Sequence, residues 1–121
     1  MSRNRSMNKT IRVNGRRIET DEEGFLLDPD DWDAGVAAHI AAGEGIELEN
    51  DARWVVDWVR RYFEENQVVP ETRTLLKAMQ RELGPERGTR KYLHTLFPYG
   101  YGQQACKIAG MRKPRKLMLD V

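Results

Sequence analysis

Apolar residues recur along the chain with two different periods. Over residues 10–20 they alternate with polar ones, as Ile11 and Val13 and then Ile18. Asn14 and Gly15 stand between the two arms, a pair that accepts positive φ and closes a two-residue turn. The pattern predicts a β-hairpin, to which residues 24–27 (GFLL) add a short third strand. So small a hairpin cannot stand alone and must pack on helices. From residue 50 the period lengthens. Ala52, Val55, Val56, Val59, Tyr62 and Phe63 recur at i, i+3, i+4 and i+7. That is one face of a helix beginning at Asn50 or Asp51 and ending near Asn66. Trp54 and Trp58, four apart, widen the stripe and put this helix at the centre of the core.

The remaining helices follow from their start and stop signals. The acidic run DPDDWD (residues 28–33) suits the positive end of a helix that continues to about Ala42, with Gly43 as its cap. A calcium loop would need ligands at its first, third and fifth positions, and the fifth from Asp28 is Trp32. Pro70 opens a third helix, with Leu75, Leu76, Met79 and Leu83 inward and Gly84 and Pro85 ending it. A fourth, from about Thr89 to Phe97, buries Tyr92, Leu93, Leu96 and Phe97 until Pro98 breaks it. A last short helix over 103–109 presents Ala105, Ile108 and Ala109 on one face, with Cys106 at the edge of that face. The expected fold class is α+β, a short N-terminal β-hairpin or meander packed on about five helices. At 121 residues the chain supports one domain, read as 10–110. A disordered basic arm (1–9) precedes it and a flexible basic arm (111–121) follows.

Charge adds one fact to this picture. The net charge of +1 conceals a segregation: residues 1–17 carry six basic groups and no acid, and residues 84–121 carry eight against two acids. The middle, 18–83, is left with −11. Such ends serve an anionic partner or dock on the chain's own acidic face, though a solvated surface is the commoner outcome. The short connection between the third and fourth helices resembles a helix-turn-helix. In that reading Arg87, Arg90 and Lys91 begin the second helix and are candidate DNA contacts.

Candidate chemistry is sparse. His39, His94 and one cysteine do not make a zinc-ligand pattern, and Gly84 is not followed by the Gly-Lys-Ser/Thr of a phosphate loop. No carboxylate pair is singled out for acid–base work. No cofactor, metal or self-contained catalytic site is therefore expected. No apolar run is long enough to cross a membrane, the N-terminus lacks the apolar segment of a secretory signal, and one cysteine cannot form an internal disulfide. The expected location is cytoplasmic. What remains is Cys106, with Lys107, Arg112, Lys113, Arg115 and Lys116 near it in sequence. Cations favour the thiolate, whereas free cysteines are commonly buried and inert.

The stretch LFPYGYGQQACKIAGMRKP (96–114) resembles the C-terminal signature of the DsrC/TusE family of sulfur-relay proteins. IRVNGRRIETDEEGFL is similar to the family's opening hairpin, and residues 43–79 to its central region. The resemblance implies a meander of strands against an array of helices, ending in a mobile arm whose penultimate cysteine carries sulfur. Many members have a second cysteine eleven positions upstream, where Cys106 falls; the penultimate position is occupied here by Leu117. Tyr101, Gly102 and Arg112 also stand where the family often has Pro, Ala and Pro. The implied partners are sulfurtransferases that load the protein and a sulfite-reductase-like or tRNA-thiolating enzyme that unloads it. Cys106, beside Lys107, is then the only candidate persulfide acceptor, making the chain at most a sulfurtransferase-type carrier. The alternative is a regulatory, non-carrier paralogue that binds a protein or DNA through the helix-turn-helix-like segment.

Overall fold

The computed structural model describes residues 8–114; most of the two expected arms lies outside them. Strands β1 (Lys9–Val13) and β2 (Arg16–Thr20) pair antiparallel with Ile11 opposite Ile18. Asn14 and Gly15 form the turn at φ 52° and 82°. Val13, Ile18 and Thr20 point inward and are buried, as the alternation requires. The expected third strand shrinks to a single bridge between Thr20 and Leu26. Asp21 accounts for this: its carboxylate accepts from the Glu23 and Phe25 amides at 2.8 and 3.0 Å and curls the chain before a ladder can extend. Phe25 and Leu26 are still buried.

The acidic run serves as a pair of caps. Asp28 caps a 3-10 turn (Pro29–Asp31), and Asp33 accepts from the Val36 amide at 2.9 Å to start α1 (Ala34–Glu44). Helix α1 continues through Gly43 and stops at Gly45, which takes φ 73°. There the Gly45 and Ile46 amides donate to Ala42 and Ala41, the pair of bonds that closes a helix around a left-handed residue.

Helix α2 (Asn50–Asn66) follows the expected span, but its N-cap position is Glu49, which makes no side-chain cap bond. Asp51, one of the two expected caps, instead accepts from the Tyr92 hydroxyl at 2.5 Å and from Arg87 at 3.1 Å. Ala52, Val55, Val56 and Val59 are buried, and Trp54 stacks on Trp58 along a half-buried flank. Helix α3 (Thr72–Leu83) begins two residues after Pro70, with Glu71 in the cap position. Helix α4 (Arg90–Leu96) is capped by the Thr89 hydroxyl.

The last helical segment starts two residues earlier than expected. A π-helical turn (Tyr101–Ala105) runs directly into α5 (Cys106–Ile108), which packs against α1 and α2. The architecture is the expected α+β one, a two-stranded hairpin and five helices. Among the described residues no helix is long and apolar enough to cross a membrane.

Candidate functional site

Every residue from Gln104 to Met111 is buried, and Cys106 has no exposed surface. The expected inward face of Ala105, Ile108 and Ala109 is indeed inward. The expected edge position of Cys106 is not found, because α5 is enclosed by other elements and has no solvent side. The one-sided pattern of a surface helix does not apply to an enclosed one.

Two of the cations expected around the thiol, Lys107 and Lys113, are committed elsewhere. Lys107 is itself buried, with its Nζ 2.8 Å from Glu44 Oε2 and 5.1 Å above the Phe25 ring. Gln104 shares the same carboxylate, donating to Glu44 Oε1 at 3.3 Å, while its own Oε1 accepts from the Tyr99 amide at 2.9 Å. Lys113 reaches Glu23 at 2.6 Å, which raises its pKa, and Arg112 is exposed. Arg115 and Lys116 lie outside the described residues. Desolvation then dominates: burial pushes the Cys106 thiol up to about 12, and the neighbouring Tyr101 hydroxyl opposes only part of that rise. Tyr101 donates to the Pro70 carbonyl at 2.6 Å. Its own pKa is raised well above the ordinary value by burial and by Cys106.

The end of α5 is closed by bonds that also fix Cys106. The Gly110 amide donates to Lys107 and the Met111 amide to the Cys106 carbonyl, each at 3.0 Å. Gly110 sits at φ 82°, and a Cβ there would lie 2.6 Å from Trp32 Cγ, so no other residue fits. Two remaining carbonyls are reached from distant elements: Trp32 Nε1 donates to Ile108 at 2.8 Å, and Arg60 donates to Ala109 at 3.2 Å. Arg60 also binds the Pro29 carbonyl and Glu64, with its guanidinium 4.7 Å above the Trp32 ring. Glu44, Gln104 and Arg60 lie in the stretches that carry the family resemblance, but the sequence assigns none of them, nor Trp32, a role at this site. Arg60 did leave a signal, since it lies on the apolar stripe, four residues after Val56 and three before Phe63.

The other nominated residues do not gather here. Arg87 precedes α4 rather than beginning it and is paired with Asp51. Arg90 and Lys91 are exposed on the first turn of α4. His39 and His94 are exposed on α1 and α4.

The site is therefore a protonated, enclosed thiol at the point where the C-terminal residues leave the core. Residues 12–118 match the family model described as DsrC like protein. The chain belongs to the DsrC-like family. Sulfurtransferase TusE of Salmonella choleraesuis is 46% identical over 102 residues, covering 84% of this chain and 94% of the relative. The solution structure of Allochromatium vinosum DsrC aligns with a TM-score of 0.81 at 43% identity, over 90% of this chain and 97% of that one. The oxidized γ-subunit of the dissimilatory sulfite reductase (DsrC) from Archaeoglobus fulgidus aligns at 0.82 and 34% identity, over 88% and 97%. With the DsrC-like fold shared across nearly the whole chain, Cys106 is positioned by the body of the domain rather than by a local motif.

Proposed function

We propose that this DsrC-like protein is a sulfur-relay protein in which Cys106 accepts sulfur as a persulfide. The observation that carries this reading is the near full-length similarity to a sulfurtransferase and to DsrC, in a chain with a single cysteine. In the transfer, the Cys106 thiolate attacks the outer sulfur of a donor persulfide. The S–S bond of the donor breaks, a new S–S bond forms at Cys106, and the donor leaves as a thiolate that takes up the proton lost by Cys106. No net oxidation is involved. Since the thiol is enclosed and its pKa is high, transfer requires the residues around it to open and admit the donor. In this reading sulfurtransferases are the donors and a sulfite-reductase-like or tRNA-thiolating enzyme the acceptor; the named relatives include a sulfurtransferase and a γ-subunit of dissimilatory sulfite reductase. No feature of the described residues favours the regulatory alternative.

The test is to treat the purified protein with a persulfide donor and weigh it intact. One added sulfur is expected on the wild type and none on Cys106→Ser, whose circular dichroism and melting curve should stay native. Loading should quicken when residues 112–121 are removed. Sulfur that still loads onto Cys106→Ser would refute the assignment of the acceptor.

A further inference from the structure

The chain leaving α5 is tied down at two points. Met111 makes the first: its amide bonds the Cys106 carbonyl and its side chain is fully buried. Lys113, two residues on, makes the second. Its Nζ lies 2.6 Å from Glu23 Oε2, a contact that spans 90 residues of sequence. The bond to Glu23 raises the Lys113 pKa, and the nearby charges of Asp21 and Glu22 add to the rise. Arg112, between the two, lines a groove of about 340 Å³ whose wall also carries Asp28, Asp30, Glu64 and Arg60. The basic residues after α5 therefore meet the acidic middle of the chain at two places, which is the internal docking that the charge segregation allows.

The turn that presents Glu23 holds its shape without help from Lys113. The Asp21 carboxylate accepts from the Glu23 and Phe25 amides, and the Gly24 amide donates to the Asp21 carbonyl at 3.1 Å. Phe25, directly after it, is buried with Lys107 Nζ 5.1 Å from its ring. The turn is thus fixed on α5 through Phe25 and Lys107, and Lys113 fastens the chain after α5 to the same turn. The two links differ in kind. Lys107 is buried, whereas the Lys113 and Glu23 side chains are 51% and 37% exposed. An exposed pair is weak and is screened by salt. It suits a fastening that opens, not one that carries the fold.

We propose that Lys113 and the turn at 21–24 form a salt-sensitive strap, which holds the chain leaving α5 against the domain and whose release loosens the end of α5 while the hairpin stays folded. The loosening passes along the backbone, since Lys113 is two residues from the Met111 amide that bonds Cys106. Nothing in this depends on Cys106 being the sulfur acceptor, so the strap and the relay stand or fall separately.

Amide hydrogen exchange of the full-length protein, followed by NMR at low salt, tests the strap in the wild type, Glu23→Gln, Lys113→Gln and the double variant. Exchange at the Met111 amide should quicken about threefold in each single variant, the scale of an exposed ion pair. The double variant should be no faster than either single one, because both changes remove the same contact. Glu22→Gln removes an equal charge one residue away and should have much less effect. Protection at Ile18 of β2 and the melting temperature should change little. Raising sodium chloride to about 0.5 M should bring the wild type close to Glu23→Gln and barely move the variants. Unchanged Met111 exchange in both single variants overturns the strap, as does a double variant whose acceleration is the product of the two. Glu22→Gln matching Glu23→Gln would reduce the effect to diffuse charge and overturn it too. An equal loss of protection at Ile18 would show a contact that supports the whole fold, again against a strap.

Discussion

A cysteine whose pKa lies near 12 is a thiolate in roughly one molecule in 10⁵ at neutral pH, so Cys106 is quiet until its surroundings open. The sequence showed cations following it but not where they point. Residues at i and i+1 on a helix do not face one another, so Lys107 turns toward Glu44 while Cys106 turns away. The raised pKa has a consequence for stability. The ordinary value is 9.0, and burial is the main cause of the rise. Between pH 9 and 12 the unfolded chain therefore loses a proton that the folded chain keeps. Fewer protons on the unfolded state mean that stability falls as pH rises through this window. Below pH 9 the contribution is fully present. Urea unfolding of the wild type and Cys106→Ala at pH 8 and pH 10.5 checks this: the wild type should lose more stability between the two pH values than the variant. Equal losses would show that Cys106 ionises freely in the folded protein.

At the scale of elements, the period of apolar residues located the hairpin and α2, because burial of one face decides whether an element survives, and start and stop signals located the other helices. The ends were less legible. Gly43 and Gly45 are both credible stops for α1, and the selection came from Ile46, whose amide reaches back to Ala41 only if the reversal occurs at Gly45. The two glycines should then respond oppositely to alanine. Gly43 lies within the helix, with open space where a Cβ would go. Gly43→Ala should stabilise by about 0.5–1 kcal/mol. Gly45 is held at φ 73°, so Gly45→Ala should destabilise by about 1 kcal/mol. Thermal melts of the two single variants decide it; a shift in the same direction for both would place the cap elsewhere. The π-helical turn before Cys106 had no visible signature in the sequence. It arises where Tyr101 must reach the Pro70 carbonyl while Gln104 and Lys107 both face Glu44.

The whole molecule is held together around α5 by polar groups that a reading of apolar periodicity passes over. Arg60 is the clearest case. It stands on the buried stripe of α2, yet its guanidinium binds the carbonyls of Pro29 and Ala109 and the carboxylate of Glu64 while lying over Trp32. One side chain thus joins the 3-10 turn, α2 and the end of α5, contacts that span 31 and 49 residues of sequence. Trp32 in turn donates to Ile108 and closes over Gly110. Only the planar fork of arginine can serve several acceptors and stack on a ring at once; a lysine keeps the charge but not the geometry. Arg60→Lys should therefore leave the buried Ala109 carbonyl short of its donor and destabilise the domain by about 1.5–3 kcal/mol. Because the lost bond lies next to Gly110 and Met111, the end of α5, whose Met111 amide is bonded to the Cys106 carbonyl, should loosen more than the hairpin does. Hydrogen exchange can separate these effects. Protection should fall at the Gly110 and Met111 amides well beyond the fall at Ile18 of β2, and Cys106 alkylation should accelerate in parallel. A uniform loss of protection across the chain would instead mean that Arg60 supports the fold as a whole and holds no special grip on the end of α5.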